Sequence, residues 1–173
     1  MPRVNNPENP RSAGGFLARL DALEKQVRDL KAVNPSKLSP LAIVANAANY
    51  AMAAADTIVA QATVSVPDGY SRATLQLILS ANYASPNTGL TEYATSYGSY
   101  SASNGQSGRS GNYDTAIADG GINSNSVGLS AVLEGLDAGD TITIAAHVWC
   151  GSPNVTPNAF NLTTIGGSLI FLR

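Results

Sequence analysis

The sequence predicts an all-β fold, an antiparallel β-sandwich of jelly-roll-like type preceded by a short coiled-coil helix. Two observations support this prediction. Beyond Pro40, apolar residues recur at every second position in several short segments that are separated by Gly-rich turns. Before Pro40, one segment carries its apolar residues at heptad spacing instead. The 173 residues suffice for one main core and a small appendage, because domains cluster near about 100 to 150 residues.

The N-terminal part is predicted to be an arm followed by a helix. Residues 1–15 are rich in Asn, Pro and Gly, which disfavour helix and sheet, so we expect an extended anchoring arm. Residues 16–34 are predicted to form an oligomerising helix. Its apolar positions recur at spacings of four and three and are Phe16, Leu20, Leu23, Val27 and Leu30.

So short a helix is not stable alone in water, and its apolar stripe must pack on something. One alternative is that it docks on its own sandwich, as amphipathic helices commonly do. The strict heptad spacing favours a bundle of identical helices, and we predict a homotrimer. Two heptads do not determine the number of strands in such a bundle.

The rest of the chain is predicted to be strands. Residues 35–55 are expected to hold a linker and a first strand, with 41–47 as a candidate whose Ala content also suits a helix. A β-sandwich knob is predicted for 56–173, closing with an apolar strand over 168–173. The predicted inward rows are Ile58, Ala60, Ala62, Val64 and Val66; Ala73, Leu75, Leu77 and Leu79; Val127, Leu129, Ala131 and Leu133; and Ile142, Ile144, Ala146 and Val148.

Residues 85–126 form an insertion made of Ser, Asn, Gly, Thr and Tyr with almost no aliphatic residues. We expect a long solvated surface loop, or a hairpin with one exposed face. The same composition is typical of adaptable recognition surfaces, because Tyr adds rigid amphipathic area and Ser and Asn supply hydrogen bonds. The candidate contacts for a receptor or host glycan are Tyr93, Tyr97, Tyr100 and Tyr113.

Catalytic and metal-binding patterns are weak in this sequence, and we expect no enzyme, no catalytic residues, no metal and no cofactor. His147 and Trp149 should both point away from the inward row of their strand, where a satisfied second-face histidine is the simpler interpretation. Cys150 is interpreted as a buried small apolar residue. A glycan-cleaving enzyme would need two carboxylates across a cleft, and the insertion offers Glu92, Asp114 and Asp119.

Charge and hydropathy exclude further classes of partner. The formal net charge is −2, so no basic field attracts nucleic acid. The longest apolar run rests on Ala and is interrupted by Asn46 and Asn49, which falls short of the roughly 20 apolar residues of a membrane span.

Three segments resemble the C-terminal β-sandwich domains of minor tail and tail fibre proteins from phages of actinobacteria. The first is VPDGYSRA within residues 62–73, the second is EGLDAGDTI at 134–142, and the third is the apolar ending within 158–173. The resemblance covers roughly 56–173. It implies a virion component exposed on the tail, commonly trimeric, whose sandwiches pack about a threefold axis like jelly rolls of the tumour-necrosis-factor type.

The expected function is therefore that of a non-enzymatic structural protein of a phage virion, with a trimeric stalk and knob that contacts the host surface. A capsid decoration or head-fibre protein is one alternative, because the chain lacks a long tail-attachment region. A carbohydrate-binding module is another, and it would use the tyrosines of the insertion.

Overall fold

The computed structural model describes two parts of the chain, a short helical segment and a β-domain. The described residues are 19, 21–25, 38–85, 89, 91–151 and 159–173. Arg19 and residues 21–25 are helical, and Leu23 is 57% exposed. The arm 1–15 and the other predicted heptad positions, Phe16, Leu20, Val27 and Leu30, lie outside the described residues. The helical bundle therefore stays a prediction.

Nine strands make up the described β-domain. They are β1 (Leu38–Ala48), β2 (Thr57–Ser65), β3 (Arg72–Ala84), β4 (Glu92–Ala102), β5 (Ser107–Arg109), β6 (Tyr113–Ile117), β7 (Ile122–Leu133), β8 (Thr141–Cys150) and β9 (Leu162–Leu172).

The strands form two antiparallel sheets that pack face to face. The first sheet has the order β1-β9-β3-β7, and the second has the order β2-β8-β4-β5, with β6 also paired to β4. Successive strands alternate between the sheets, except that β4, β5 and β6 all belong to the second. This interleaving is that of a jelly roll, in which two Greek keys wrap around one core. The predicted all-β antiparallel sandwich is confirmed.

Two of the predicted inward rows, in β3 and β8, form the centre of the core. Their side chains are at most 2% exposed: Ala73, Leu75, Leu77, Leu79, Ile142, Ile144, Ala146 and Val148. The row in β7 is less complete, because Leu133 is fully buried while Val127 and Leu129 are only half-buried. Residues 41–47 lie within β1, which pairs with β9 along its whole length, so the strand interpretation holds there and the helix alternative is wrong.

The prediction for the start of β2 is wrong. Ile58 was expected to face the core, yet it is 50% exposed. A β-bulge lies between Ile58 and Ala60, so that Ile58 pairs with His147 and Ala60 pairs with Ala146. A bulge adds one residue to a strand and thereby reverses the side to which the preceding residues point. Ile58 consequently lies on the outer face of the second sheet.

The Tyr/Ser/Gly-rich segment 85–126 is not a long solvated loop. It holds β4, β5, β6 and the first residues of β7, and β4 lies at the centre of the second sheet, between β8 and the short strands β5 and β6. The inward positions of β4 carry small side chains that oppose large ones. A Cβ added to Gly98 would lie 3.1 Å from Cδ1 of Ile165 and 3.9 Å from Cβ of Leu79. The core is filled here from the first sheet, which explains why this strand has few aliphatic residues.

A buried polar contact joins the two sheets near one end. Nδ2 of Asn125, in β7, donates to Oγ of Ser96 at 3.0 Å and to Oγ1 of Thr115 at 2.6 Å. All three side chains are buried, and Ser96 and Thr115 belong to the second sheet. Because a buried polar group is costly without a partner, this triangle favours a single alignment of the sheets.

The three segments that carry the family resemblance meet at the opposite end of the sandwich. The backbone N–H of Val66 donates to the carbonyl of Asp140 at 2.7 Å, which joins the first segment to the second. The ring of Tyr70 lies 6.2 Å from that of Phe171, and the guanidinium of Arg173 lies 5.2 Å from the Tyr70 ring centroid. The resemblance motifs therefore build a structural joint between two turns and the C-terminal strand.

Candidate functional site

The outer face of the second sheet carries a compact group of polar and aromatic side chains. Tyr97 in β4 pairs with His147 in β8, and Ser99 pairs with Arg109 at the end of β5. Alternation along the strands puts these residues on the face opposite the core row. Asp56 immediately precedes β2, and its side chain lies at the same place. We call the following set the outer-face cluster: Asp56, Tyr97, Ser99, Arg109, His147 and Trp149.

Asp56 organises the hydrogen bonds of the cluster. The hydroxyl of Tyr97 donates to Oδ2 of Asp56 at 2.6 Å, and Nδ1 of His147 lies 2.9 Å from Oδ1. Nε2 of the same ring lies 3.0 Å from Oγ of Ser99. An ionised carboxylate only accepts, so Nδ1 of His147 donates to Asp56; in the neutral form of the ring, Nε2 accepts from the Ser99 hydroxyl.

Tyr97 is buried on an outer face because its ring is covered on several sides. The His147 ring stacks on it with centroids 4.2 Å apart and planes 12° from parallel, while Trp149 meets it edge-on at 5.9 Å. The Arg109 guanidinium lies 4.9 Å from the ring centroid. Together these groups leave Tyr97 only 6% exposed. Stacked rings and a cation over an aromatic face each stabilise such a packed surface by about 0.5–1.5 kcal/mol.

The surroundings of Asp56 and Tyr97 lower the pKa of the first and raise the pKa of the second. Partial burial of Asp56 opposes its ionisation, but hydrogen bonds from Tyr97 and His147 and the charges of His147 and Arg109 outweigh it, so the pKa of Asp56 is lowered. Burial, followed by the neighbouring Asp56 carboxylate, raises the pKa of Tyr97. Asp56 is therefore an anion and Tyr97 a hydroxyl donor over the whole neutral range.

Ser99, His147 and Asp56 follow the order nucleophile, base and carboxylate that acyl-transfer enzymes use. That chemistry also needs donors aimed at the oxyanion that develops in the transition state. Ser99 lies in the middle of β4, with β5 on one side and β8 on the other, so the backbone around it takes part in two ladders. The amide of Gly98 donates to Oγ of Ser110 at 3.1 Å. The arrangement therefore orients a ring and a hydroxyl, and the backbone on either side of Ser99 is engaged in strand pairing.

The four tyrosines of the predicted contact site do not come together. Tyr93 is 60% exposed on the same outer face as Tyr97. Tyr100 points to the other side of β4 and packs against the core. Tyr113 is 47% exposed, but it pairs with the inward Ser96 and thus points to the core side of edge strand β6. Only Tyr93 and Tyr97 therefore belong to one surface.

Other predicted features lie where they carry no obvious chemistry. Cys150, the last residue of β8, is fully buried, as expected for a small apolar residue. The three acids of the insertion differ in setting, since Glu92 is buried while Asp114 and Asp119 are exposed. Among the residues with described placement, no group of three or more His, Cys, Asp or Glu is arranged to hold a metal ion. No helix in the described segments is long and apolar enough to cross a membrane.

Sequence reasoning placed His147 and Trp149 on the second face of their strand, and the structure confirms that placement. It missed Asp56, Ser99 and Arg109 as their neighbours. Asp56 and His147 are separated by 91 residues along the chain, and Ser99 and His147 by 48. No local pattern connects such positions, because the register between strands of one sheet brings them together.

Comparisons with known proteins give no family. No family model matches the chain, and no curated protein matches it. A structure of desmodium yellow mottle tymovirus is similar at 12% identity with a TM-score of 0.35, covering 78% of this chain and 81% of that chain. Turnip yellow mosaic virus gives 11% identity and a TM-score of 0.30, covering 78% of this chain and 95% of that one.

A tailspike protein of bacteriophage CBA120 is also similar, through its enzymatically active domain. The identity is 12% and the TM-score 0.23, and the match covers 80% of this chain but only 20% of the tailspike chain. Likenesses of this strength establish neither a function nor an assembly for this chain.

Proposed function

We propose that this chain is a non-enzymatic structural protein of a phage virion, a minor tail or fibre protein with a trimeric helical stalk and a jelly-roll knob. The observation that carries the proposal is the contrast between the outer faces of the two sheets. The second sheet presents polar and aromatic side chains outward, as described above. The first sheet presents exposed aliphatic side chains in rows that alternate with rows of polar ones, such as Gln76 with Ser130 and Ser80 with Ser126.

A lone domain would leave several large aliphatic side chains of the outer face of the first sheet in water. These side chains, between 41% and 59% exposed, include Leu38, Val44, Ile78, Val132 and Leu162. Ile78 stands between two glycines, because it pairs with Gly166 on β9 and with Gly128 on β7. Val44 pairs with Gly166 from the other side. Because these glycines have no side chain, a facing sheet can approach Ile78 and Val44 closely.

Several exposed aliphatic side chains on one face of a small domain are typical of an interaction site, and copies of this chain are the partner we propose. The heptad spacing of the preceding helix and the family resemblance both favour a closed homotrimer. In such an assembly the first sheets contact one another and the polar faces of the second sheets point outward.

Location in the particle follows from the same proposal. The arm 1–15 would bind another virion protein, and the knobs would project toward the host. Mass spectrometry of purified particles of the encoding phage should find the chain at a constant copy number. Immunogold labelling should place it on the tail. Label over the capsid would support the alternative of a decoration or head-fibre protein, and absence from the particle would refute both.

The proposed interface has a matched test. Ile78→Lys places a charge on the outer face of the first sheet, whereas Ile58→Lys places the same charge on the second sheet at similar exposure, 59% against 50%. We expect Ile78→Lys to lower the solution mass and Ile58→Lys to leave it unchanged. Equal behaviour of the two variants would show that the apolar face does not hold the oligomer together.

A further inference from the structure

The outer face of the second sheet carries four aromatic rings at neighbouring positions of β4 and β8, of which Tyr93 is exposed, His147 and Trp149 are partly exposed and Tyr97 is covered. Trp149 pairs with Thr95 in β4, and Tyr93 and Tyr97 lie two residues to either side of Thr95. His147 in β8 pairs with Tyr97. We call Tyr93, Tyr97, His147 and Trp149 the aromatic stripe. At about 3.3 Å per residue, the step from Tyr93 to Tyr97 covers about 13 Å along the strand.

Charged and hydroxyl groups flank the aromatic stripe on both sides, and most of them are already held in place. On one side, Oδ1 of Asp114 accepts from Oγ1 of Thr95 at 2.6 Å, and the exposed Arg109 covers the Tyr97 ring. On the other side lies Asp56, whose side chain is 46% exposed although it binds Tyr97 and His147. Both hydrogen-bond donors and acceptors therefore border the rings within reach of solvent.

We infer that the aromatic stripe and its charged borders bind a carbohydrate of the host cell surface. Sugar rings present C–H faces that pack on aromatic rings and rims of hydroxyls that pair with carboxylates and guanidinium groups. Because the hydrogen bonds of Asp56 and the stacking of Tyr97 already order these side chains, little conformational entropy remains to be lost on binding. The inference rests on the proposed function, which directs this face toward the host.

The chemistry of the surface favours a glycan over other partners. A nucleic acid is disfavoured because the chain carries a net charge of −2 and because two carboxylates, Asp56 and Asp114, border the stripe. A hydrophobic protein surface suits the opposite sheet better, since its outer face carries exposed aliphatic side chains such as Ile78 and Val44. The rings of the stripe instead combine apolar faces with polar atoms at their edges, which is what an alternating apolar and hydroxylated ligand requires.

The test uses the full-length chain and an array of bacterial cell-surface polysaccharides, followed by titration of the polysaccharides that bind. Tyr93→Ala removes an exposed ring of the aromatic stripe. Trp149→Phe replaces a half-buried ring of the stripe with a smaller aromatic ring. Tyr113→Ala is the matched control, because Tyr113 is similarly exposed but points to the other side of its sheet. We expect Tyr93→Ala to weaken binding about tenfold or more, and Tyr113→Ala to leave it within about twofold.

Two results would overturn the inference: the wild-type chain binding no polysaccharide on the array, or Tyr93→Ala and Tyr113→Ala weakening binding equally. Thermal unfolding of each variant shows whether a loss reflects the site or the fold. The solution mass of the same samples separates this inference from the proposed function. A trimer without glycan binding would refute only the inference. A monomer that binds glycan through the stripe would refute the trimeric fibre and leave a carbohydrate-binding module.

Discussion

Replacing Asp56 tests whether the outer-face cluster is one cooperative unit. Asp56→Ala removes the acceptors of two hydrogen bonds, from the Tyr97 hydroxyl at 2.6 Å and from Nδ1 of His147 at 2.9 Å. Hydrogen bonds to charged groups contribute about 1.5–3 kcal/mol each when buried. Because the Asp56 side chain is 46% exposed, water competes for it, and we expect a total loss of about 1–2 kcal/mol in unfolding free energy.

That loss corresponds to a decrease in Tm of about 3–10 °C for a domain of this size. Tyr97→Phe removes only one of the two hydrogen bonds and preserves ring stacking, so it should cost about 0.5–1.5 kcal/mol. If the cluster acts as a unit, the double variant should lose less than the sum of the single variants, with a coupling of at least about 0.5 kcal/mol in chemical denaturation. Additive effects within about 0.3 kcal/mol, or an Asp56→Ala variant as stable as the wild type, would refute this account of the cluster.

Three further predictions concern the fold, acid stability and reactivity. Gly167→Ala should lower the free energy of unfolding strongly, since its Cβ would overlap the carbonyl of Gln76. Gly128→Ala should lower it far less, because the nearest atom to its Cβ lies 3.9 Å away. Chemical denaturation of the two variants compares them directly. The pKa of Asp56 is lower in the folded than in the unfolded chain, so its stabilisation is complete above about pH 4 and is lost as the pH falls through the folded value. The stability difference between wild type and Asp56→Ala should consequently shrink as the pH falls below about 4, and a constant difference would contradict that sign. Finally, a fluorophosphonate probe should leave Ser99 unmodified in intact-mass spectra, because the backbone around Ser99 pairs with β5 and β8 and is not free to bind an oxyanion. Stoichiometric labelling that Ser99→Ala abolishes would make the chain a serine hydrolase.

The fold was predictable where large aliphatic residues alternate. The inward rows of β3 and β8 were read directly from Leu75 to Leu79 and from Ile142 to Val148, because burial selects every second residue on a strand. The same rule failed at Ile58, where a β-bulge changes the register without a recognisable sequence signal. It failed again in β4, whose inward residues are as small as Gly98 and Ala94 because the opposing sheet supplies the volume.

The candidate site was predictable only in part. His147 and Trp149 were placed on the correct face by simple alternation. Their partners Asp56 and Ser99 depend on the pairing of β2, β8 and β4, which is decided by the whole sandwich and by the turn geometry at its ends. That the Tyr-rich insertion contributes to a recognition surface stays a prediction, and composition alone does not separate Tyr93 from Tyr100, which point to opposite sides of one strand.

The solution mass of the full-length chain by multi-angle light scattering tests the central claim most directly. Our account predicts a homotrimer of about three times the 17.8 kDa chain mass. The double substitution Leu23→Asp and Val27→Asp should weaken that trimer through the predicted helical seam. A monodisperse monomer at micromolar concentration would contradict the account.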